Sequence, residues 1–107
     1  MRRLIALLCA AALLAAISAP ALGSGTTVKV SGSKFTAKTV HIKKGSTVTW
    51  KWSASNDDKH NVTFKGFHSK SQMHGKFSHT FRKKGTYTYV CTFHVKSHGM
   101  RGTVVVS

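Results

Sequence analysis

Cys91, His94, His98 and Met100 fall within the ten residues CTFHVKSHGM, and His60 stands well upstream of them. A thiolate beside imidazoles is a donor set for copper or zinc, and a thioether is a soft extra donor that favours copper. Two imidazoles and a thiolate in a plane, with a distant methionine, tolerate both copper oxidation states with little rearrangement, which suits single-electron transfer. Carboxylate-based acid–base hydrolysis is excluded, because Asp57 and Asp58 are the only acids in the chain and they are adjacent. A Cys–His nucleophile pair is the alternative use of Cys91 and His94, but two intervening residues at a strand end suit chelation better.

These donors must be held by strands, because no long stretch of the chain has helical periodicity while period-two alternation recurs between glycines. In TVTWKW (47–52) the apolar Val48, Trp50 and Trp52 share one face, and in HNVTF (60–64) His60 shares a face with Val62 and Phe64. His79 lies on the face of Phe77 and Phe81, which predicts an inward histidine at a core or sheet-edge position, whereas His41 alternates with Val40 and Ile42 and should face solvent. Tyr87, Tyr89 and Cys91 share the inner face of the strand that leads to the donors. Lys43-Lys44-Gly45 and Lys83-Lys84-Gly85 read as turns. Residues 53–59 form a polar loop, and residues 65–76 form a longer connection with room for a short helical turn. His68 and His74 fall in that connection as surface residues and, with Met73, offer a second, weaker copper site. The expected fold is all-β, a sandwich or barrel of short strands in a single domain.

Met1-Arg2-Arg3, the apolar run Leu4 to Ile17 and Ala19-Pro20-Ala21 have the order of a secretory signal peptide. Residues 1–23 are read as that segment and 26–107 as the mature domain, exported to the periplasm or the extracellular space. Cys9 leaves with the signal, so Cys91 is the one cysteine of the mature chain. A leftover cysteine in an oxidising compartment is an intermolecular disulfide, a reactive thiol or a metal thiolate, and its histidine neighbours favour the last. The chain carries 17 Lys and Arg against two acids, a formal +15, of which Arg2 and Arg3 belong to the signal. Such a field draws anionic partners and weakens with salt. The lysines are spread along the sequence without an arginine-rich block or basic–aromatic interleaving, which argues for a solvated surface and against dedicated nucleic-acid readout.

The stretches VTWKW (48–52), HNVTF (60–64), GTYTYVCTFH (85–94) and GMRGTVVV (99–106), in this order, make the chain resemble the plastocyanin and amicyanin branch of the cupredoxins, the small blue copper proteins. The resemblance runs from about Val28 to Val106 and is most specific in its C-terminal part. It implies a Greek-key β-sandwich with one type 1 copper. By it, His60 is the upstream histidine ligand, Cys91 the thiolate, His94 the second histidine and Met100 the axial methionine, while Asn61 ties the two ligand loops together. Val95 to Gly99 make a longer spacer between His94 and Met100 than plastocyanins or amicyanins have, and it contains its own histidine. His98 is therefore an alternative or additional ligand.

The function expected from these features is single-electron transport by Cu(I)/Cu(II) cycling, with no substrate bond made or broken. Copper delivery, storage or tolerance is the alternative, resting on the seven histidines and the extra His98. A third class is a polyanion-binding module on the same scaffold, resting on the charge alone. The carrier reading calls for an acidic redox partner, such as a dehydrogenase, a cytochrome or a copper enzyme. It also fits a monomer with room for anionic membrane or cell-surface association. Phe93 beside His94 is the expected contact patch.

Overall fold

The structure, a computed structural model, describes residues 25–107, so the segment read as a signal peptide lies outside the described residues. The alternating stretches build strands β1 (Gly25–Ser31), β2 (Lys34–Thr36), β3 (Thr39–Ile42), β4 (Ser46–Trp52), β5 (Thr63–Phe64), β6 (Phe67–His68), β7 (Gly75–Phe81), β8 (Gly85–Val90) and β9 (Arg101–Val106), with one helical turn, α1 (Val95–His98). They form two mixed sheets, a five-stranded one in the order β3-β9-β8-β5-β6 and a four-stranded one in the order β2-β1-β4-β7. β3 and β9 pair in parallel, as do β1 and β4, and their neighbours pair antiparallel. This is the expected single-domain β-sandwich.

The inner faces meet as the alternation requires. Val28, Val30, Val48 and Trp50 of the four-stranded sheet are fully buried, as is Val104 of the other. The Trp50 ring meets Phe64 at 5.7 Å and Tyr89 at 5.3 Å, both edge-on, which is a favoured aromatic geometry. Lys43-Lys44 and Lys83-Lys84 fall between consecutive strands, as expected.

Two expectations are corrected. The connection after Phe64 holds no helical turn: Lys65 and Gly66 join β5 to β6 in a small hairpin. The helical turn forms instead after Cys91. His60 also does not open a strand. It makes an isolated bridge with Gln72, with the His60 amide donating to the Gln72 carbonyl at 3.0 Å and the Gln72 amide donating back at 3.1 Å.

His79 is half-buried at the sandwich edge, as its pattern implied. Its ring stacks on Phe67 of the opposite sheet at 4.0 Å and meets Phe81 edge-on at 4.8 Å. Burial holds this imidazole below its ordinary value of 6.5, because the charged form loses water there. A group with a depressed folded-state value favours folding while neutral, so its contribution is complete above pH 6.5 and is lost as the pH falls below it. In His79→Leu the melting temperature is expected to fall less steeply between about pH 6.5 and 5 than in the parent. Equal slopes in a pH series of thermal melts would show that His79 does not titrate across unfolding.

Candidate metal centre

Three donors converge at one end of the sandwich. Cys91 follows the last residue of β8, His94 precedes α1, and His60 comes from the segment bridged to Gln72. Cys91 Sγ lies 3.9 Å from His60 Nδ1 and 3.6 Å from His94 Nδ1. All three ligating atoms lie within 4.8 Å of one another, and among the described residues this is the one such group of His, Cys or carboxylate donors. His68 and His74 are exposed, and neither joins this group of donors.

The spacing fits a shared ion. Thiolate and imidazole donors lie about 2.0–2.3 Å from a transition metal, so two of them roughly 120° apart are separated by about 3.7 Å. The observed distances straddle that value and are too long for strong hydrogen bonds. Cys91 is fully buried and His60 nearly so. Burial, and then the neighbouring His94, hold His60 below the ordinary imidazole value, which keeps its ring neutral and available to a metal at pH 7.

The backbone around each donor is tied down. The His60 carbonyl also accepts from Trp52 Nε1 at 3.1 Å, linking the upstream ligand segment to the end of β4. Asn61, buried beside it, accepts from the Thr92 amide at 3.0 Å and the Thr63 hydroxyl at 3.0 Å. Its side-chain amide donates to Thr92 Oγ1 at 2.8 Å and Ser71 Oγ at 3.2 Å. Asn61 thus joins the segment of His60 to that of Cys91, the tie that the resemblance implied. Asn61→Ala strands the Thr92 amide and the Ser71 and Thr92 hydroxyls. It is expected to lower stability by about 1–3 kcal/mol and to speed metal loss to a chelator, measured by urea melts and chelator competition. A variant with unchanged melting and release would show that the tie is dispensable.

VKSHG folds as a helical turn. The Val95 amide donates to the Cys91 carbonyl at 2.9 Å, and the His98 and Gly99 amides donate to the carbonyls of His94 and Val95. Gly99 ends the turn at φ 62°, a left-handed conformation that glycine adopts without a Cβ penalty. The chain then doubles back, so that the Met100 amide donates to the His94 carbonyl at 3.3 Å and the Cys91 amide donates to the Met100 carbonyl at 3.0 Å. Met100 is almost fully buried beside the donors. His98 is exposed outside the three-donor group, with Nδ1 2.7 Å from Ser97 Oγ.

Two contributors were not singled out in the sequence. Asp58, mostly exposed, places Oδ2 3.0 Å from His94 Nε2. The His94 hydrogen bond, followed by that of the Lys59 amide, lowers the Asp58 carboxyl below its ordinary value. The ring nitrogen facing away from Cys91 is thus held by a carboxylate, a contact of the kind that orients a metal-binding imidazole. Asn56 is buried and donates to the Val30 carbonyl at 3.0 Å while accepting from the Gly32 amide at 3.2 Å, which pins the loop preceding Asp58. A buried asparagine in a polar loop carries no periodicity signal, and a carboxylate thirty-six residues from its partner carries no spacing signal.

Comparison with known proteins bears on the family and the fold. The family model described as "Cupredoxin-like domain" matches residues 4–106. Amicyanin-alpha of Methylorubrum extorquens strain AM1 is 40% identical over 111 residues, covering 94% of this chain and 86% of that protein. A solved structure of an amicyanin variant in its Cu(I) form is 32% identical, with a TM-score of 0.67 over 78% of this chain and 82% of that one. A purple cupredoxin from Nitrosopumilus maritimus, at 23% identity, shares the fold with a TM-score of 0.66 over 77% of this chain and 99% of its own.

Proposed function

Because the chain belongs to the cupredoxin-like domain family, we propose that it is an exported carrier of single electrons, with one copper held by His60, Cys91, His94 and Met100. Copper, when bound, supplies a one-electron Cu(I)/Cu(II) couple. The observation that carries the reading is the convergence of Cys91 Sγ with His60 Nδ1 and His94 Nδ1 at distances that suit a common ion.

The chain's own residues perform three tasks in this reading. Cys91, His60 and Met100 are buried, so the donors are shielded from water and disulfide exchange. The Asn61 and Trp52 hydrogen bonds hold the two ligand segments in one arrangement, which keeps reorganisation small when the charge of the site changes. His94 reaches the surface beside Phe93, which is 52% exposed with its ring centroid 6.4 Å from that of His94. This edge is where an electron leaves for an acidic redox partner, such as a dehydrogenase, a cytochrome or a copper enzyme. Delivery or storage calls for more than one copper per chain, or for Cu(I) transfer to an acceptor without redox cycling, and the single three-donor group among the described residues counts against the first of these.

Titrating metal-free protein with Cu(II) is expected to give an intense visible thiolate-to-copper band that saturates at one equivalent and bleaches reversibly on reduction. No such band, or saturation well above one equivalent, would overturn the proposal. His98→Ala is expected to keep both the band and the stoichiometry, because His98 lies outside the donor group. Loss of the band in that variant would make His98 a ligand.

A further inference from the structure

Lysines scattered in the sequence form a row in the fold. Lys29 of β1 stands directly opposite Lys51 of β4, and Lys51 stands directly opposite Lys76 of β7. All three are exposed, and the flanking Val28, Val30, Trp50 and Trp52 point into the core, which places the lysines on the outer face of the four-stranded sheet. Adjacent strands lie about 4.8 Å apart, so three ammonium stems rise side by side. Like charges directly opposite one another oppose folding. An arrangement that serves folding alone would alternate the signs or leave one position neutral.

The rest of this face is equally one-sided. Lys34 of β2 points the same way, next to Ser31 of β1, because Phe35 between Lys34 and Thr36 is buried. Farther along the strands, Thr49 and Ser78 join hydroxyls at 2.8 Å and Thr47 and Thr80 at 2.7 Å. These short side chains bond sideways to one another across the strands. The strand residues facing outward here are lysines, threonines, serines and a glycine, without an acid or a large apolar side chain. The row also sits at the metal end of the sheet. Trp52, the residue after Lys51, donates to the His60 carbonyl, and Trp52 pairs with Gly75 at the start of β7.

We propose that the Lys29–Lys51–Lys76 row is the docking face for a carboxylate-rich surface of a protein partner. Charge complementarity selects the carboxylates. A face of lysines and short hydroxyl side chains, with a hollow beside Lys29 and Lys51 and no large apolar side chain projecting from its strands, gives electrostatic alignment and a fast encounter in place of a tight hydrophobic grip. Its place at the metal end, on the same end as the His94 edge, suits a redox protein better than a lipid surface, which accepts no electron. In that respect the inference rests on the carrier reading, while the anionic docking itself does not.

The test uses ¹⁵N-labelled, copper-loaded protein in the reduced state, titrated with poly-L-glutamate at low salt and followed by amide shifts. The shifts are expected to concentrate on β1, β4 and β7. Lys29→Gln/Lys51→Gln/Lys76→Gln is expected to weaken binding by about tenfold. Lys38→Gln/Lys83→Gln/Lys84→Gln, with the same net charge, is expected to weaken it by less than about threefold. Equal losses in the two variants, or shifts scattered over the whole surface, would reduce the effect to net charge and overturn the proposal. Binding of the row to phosphatidylglycerol vesicles without binding to poly-L-glutamate would assign the face to lipid and overturn it too. Lys51→Gln alone is expected to raise the melting temperature while lowering affinity, since it removes the central repulsion; lower values of both would mean the row serves folding. Metal-free protein is expected to give the same shift map, so a missing copper band and a missing docking face are separate results.

Discussion

Cys91→Ser will bind Cu(II) without the intense visible band and at least about 100-fold more weakly than the parent, a loss larger than outer-shell changes commonly produce. Among the described residues Cys91 is the one cysteine, and its Sγ sits between two imidazole nitrogens at 3.6 and 3.9 Å. A serine hydroxyl does not ionise near neutral pH, so the substitution removes both the soft donor and its negative charge. Two imidazoles and a thioether then remain, a neutral set that loses its hold on Cu(II) in particular. The fold should survive. Cys91 makes no short side-chain hydrogen bond, and its backbone bond to the Met100 carbonyl is untouched. Visible absorption, equilibrium competition with a chelator and far-ultraviolet circular dichroism of the metal-free forms separate the two effects. A variant that keeps the intense band would show that Cys91 is not the thiolate donor.

Gly102→Ala is expected to be the most destabilising single-methyl change at the metal end. A Cβ built on Gly102 would lie 2.4 Å from Tyr89 Cζ and 2.4 Å from its Oη, well inside contact distance. Gly102 and Tyr89 are paired across β9 and β8, so the approach is set by the sheet ladder. The Tyr89 ring has nowhere to move. It is 1% exposed and held by Phe35 at 4.7 Å, Phe64 at 4.9 Å and Trp50 at 5.3 Å. Burial also pushes its hydroxyl up to about 12, so it stays neutral in the core. Overpacking of a filled core costs about 1–3 kcal/mol and more where the neighbour is rigid, and the upper end is expected here. The urea midpoint should fall with an unchanged slope. Because β9 leads out of Met100 and β8 leads into Cys91, the copper-loaded form should also release metal faster. A loss below about 0.5 kcal/mol, typical of surface substitutions, would show that Tyr89 is free to shift.

The candidate donors were legible because their chemistry is local. Cys91, His94 and Met100 lie within one strand end and one loop, and a buried strand repeats every second residue, so alternation identifies both the strand and its inner face. The same logic placed His79 inward, while the tie made by Asn61 was implied by the family resemblance and not by alternation. It failed where structure depends on what a segment packs against. The helical turn was expected within 65–76, where Gly66 instead closes a hairpin, and it formed in VKSHG, where the chain must reverse to bring Met100 beside Cys91. His60 shared the period of Val62 and Phe64, yet its backbone pairs with Gln72 as an isolated bridge.

By itself the sequence determined the all-β class, the order of the candidate donors and the faces of the longer strands, since each follows from residue type and a period of two. Only the tertiary structure decided which strands lie side by side and in what register, because pairing is made between residues far apart in the chain. Register set Gly102 against Tyr89, and loop packing set Asp58 against His94. Register also gathered Lys29, Lys51 and Lys76, which read in the sequence as a diffuse surface charge, into one row beside the metal end.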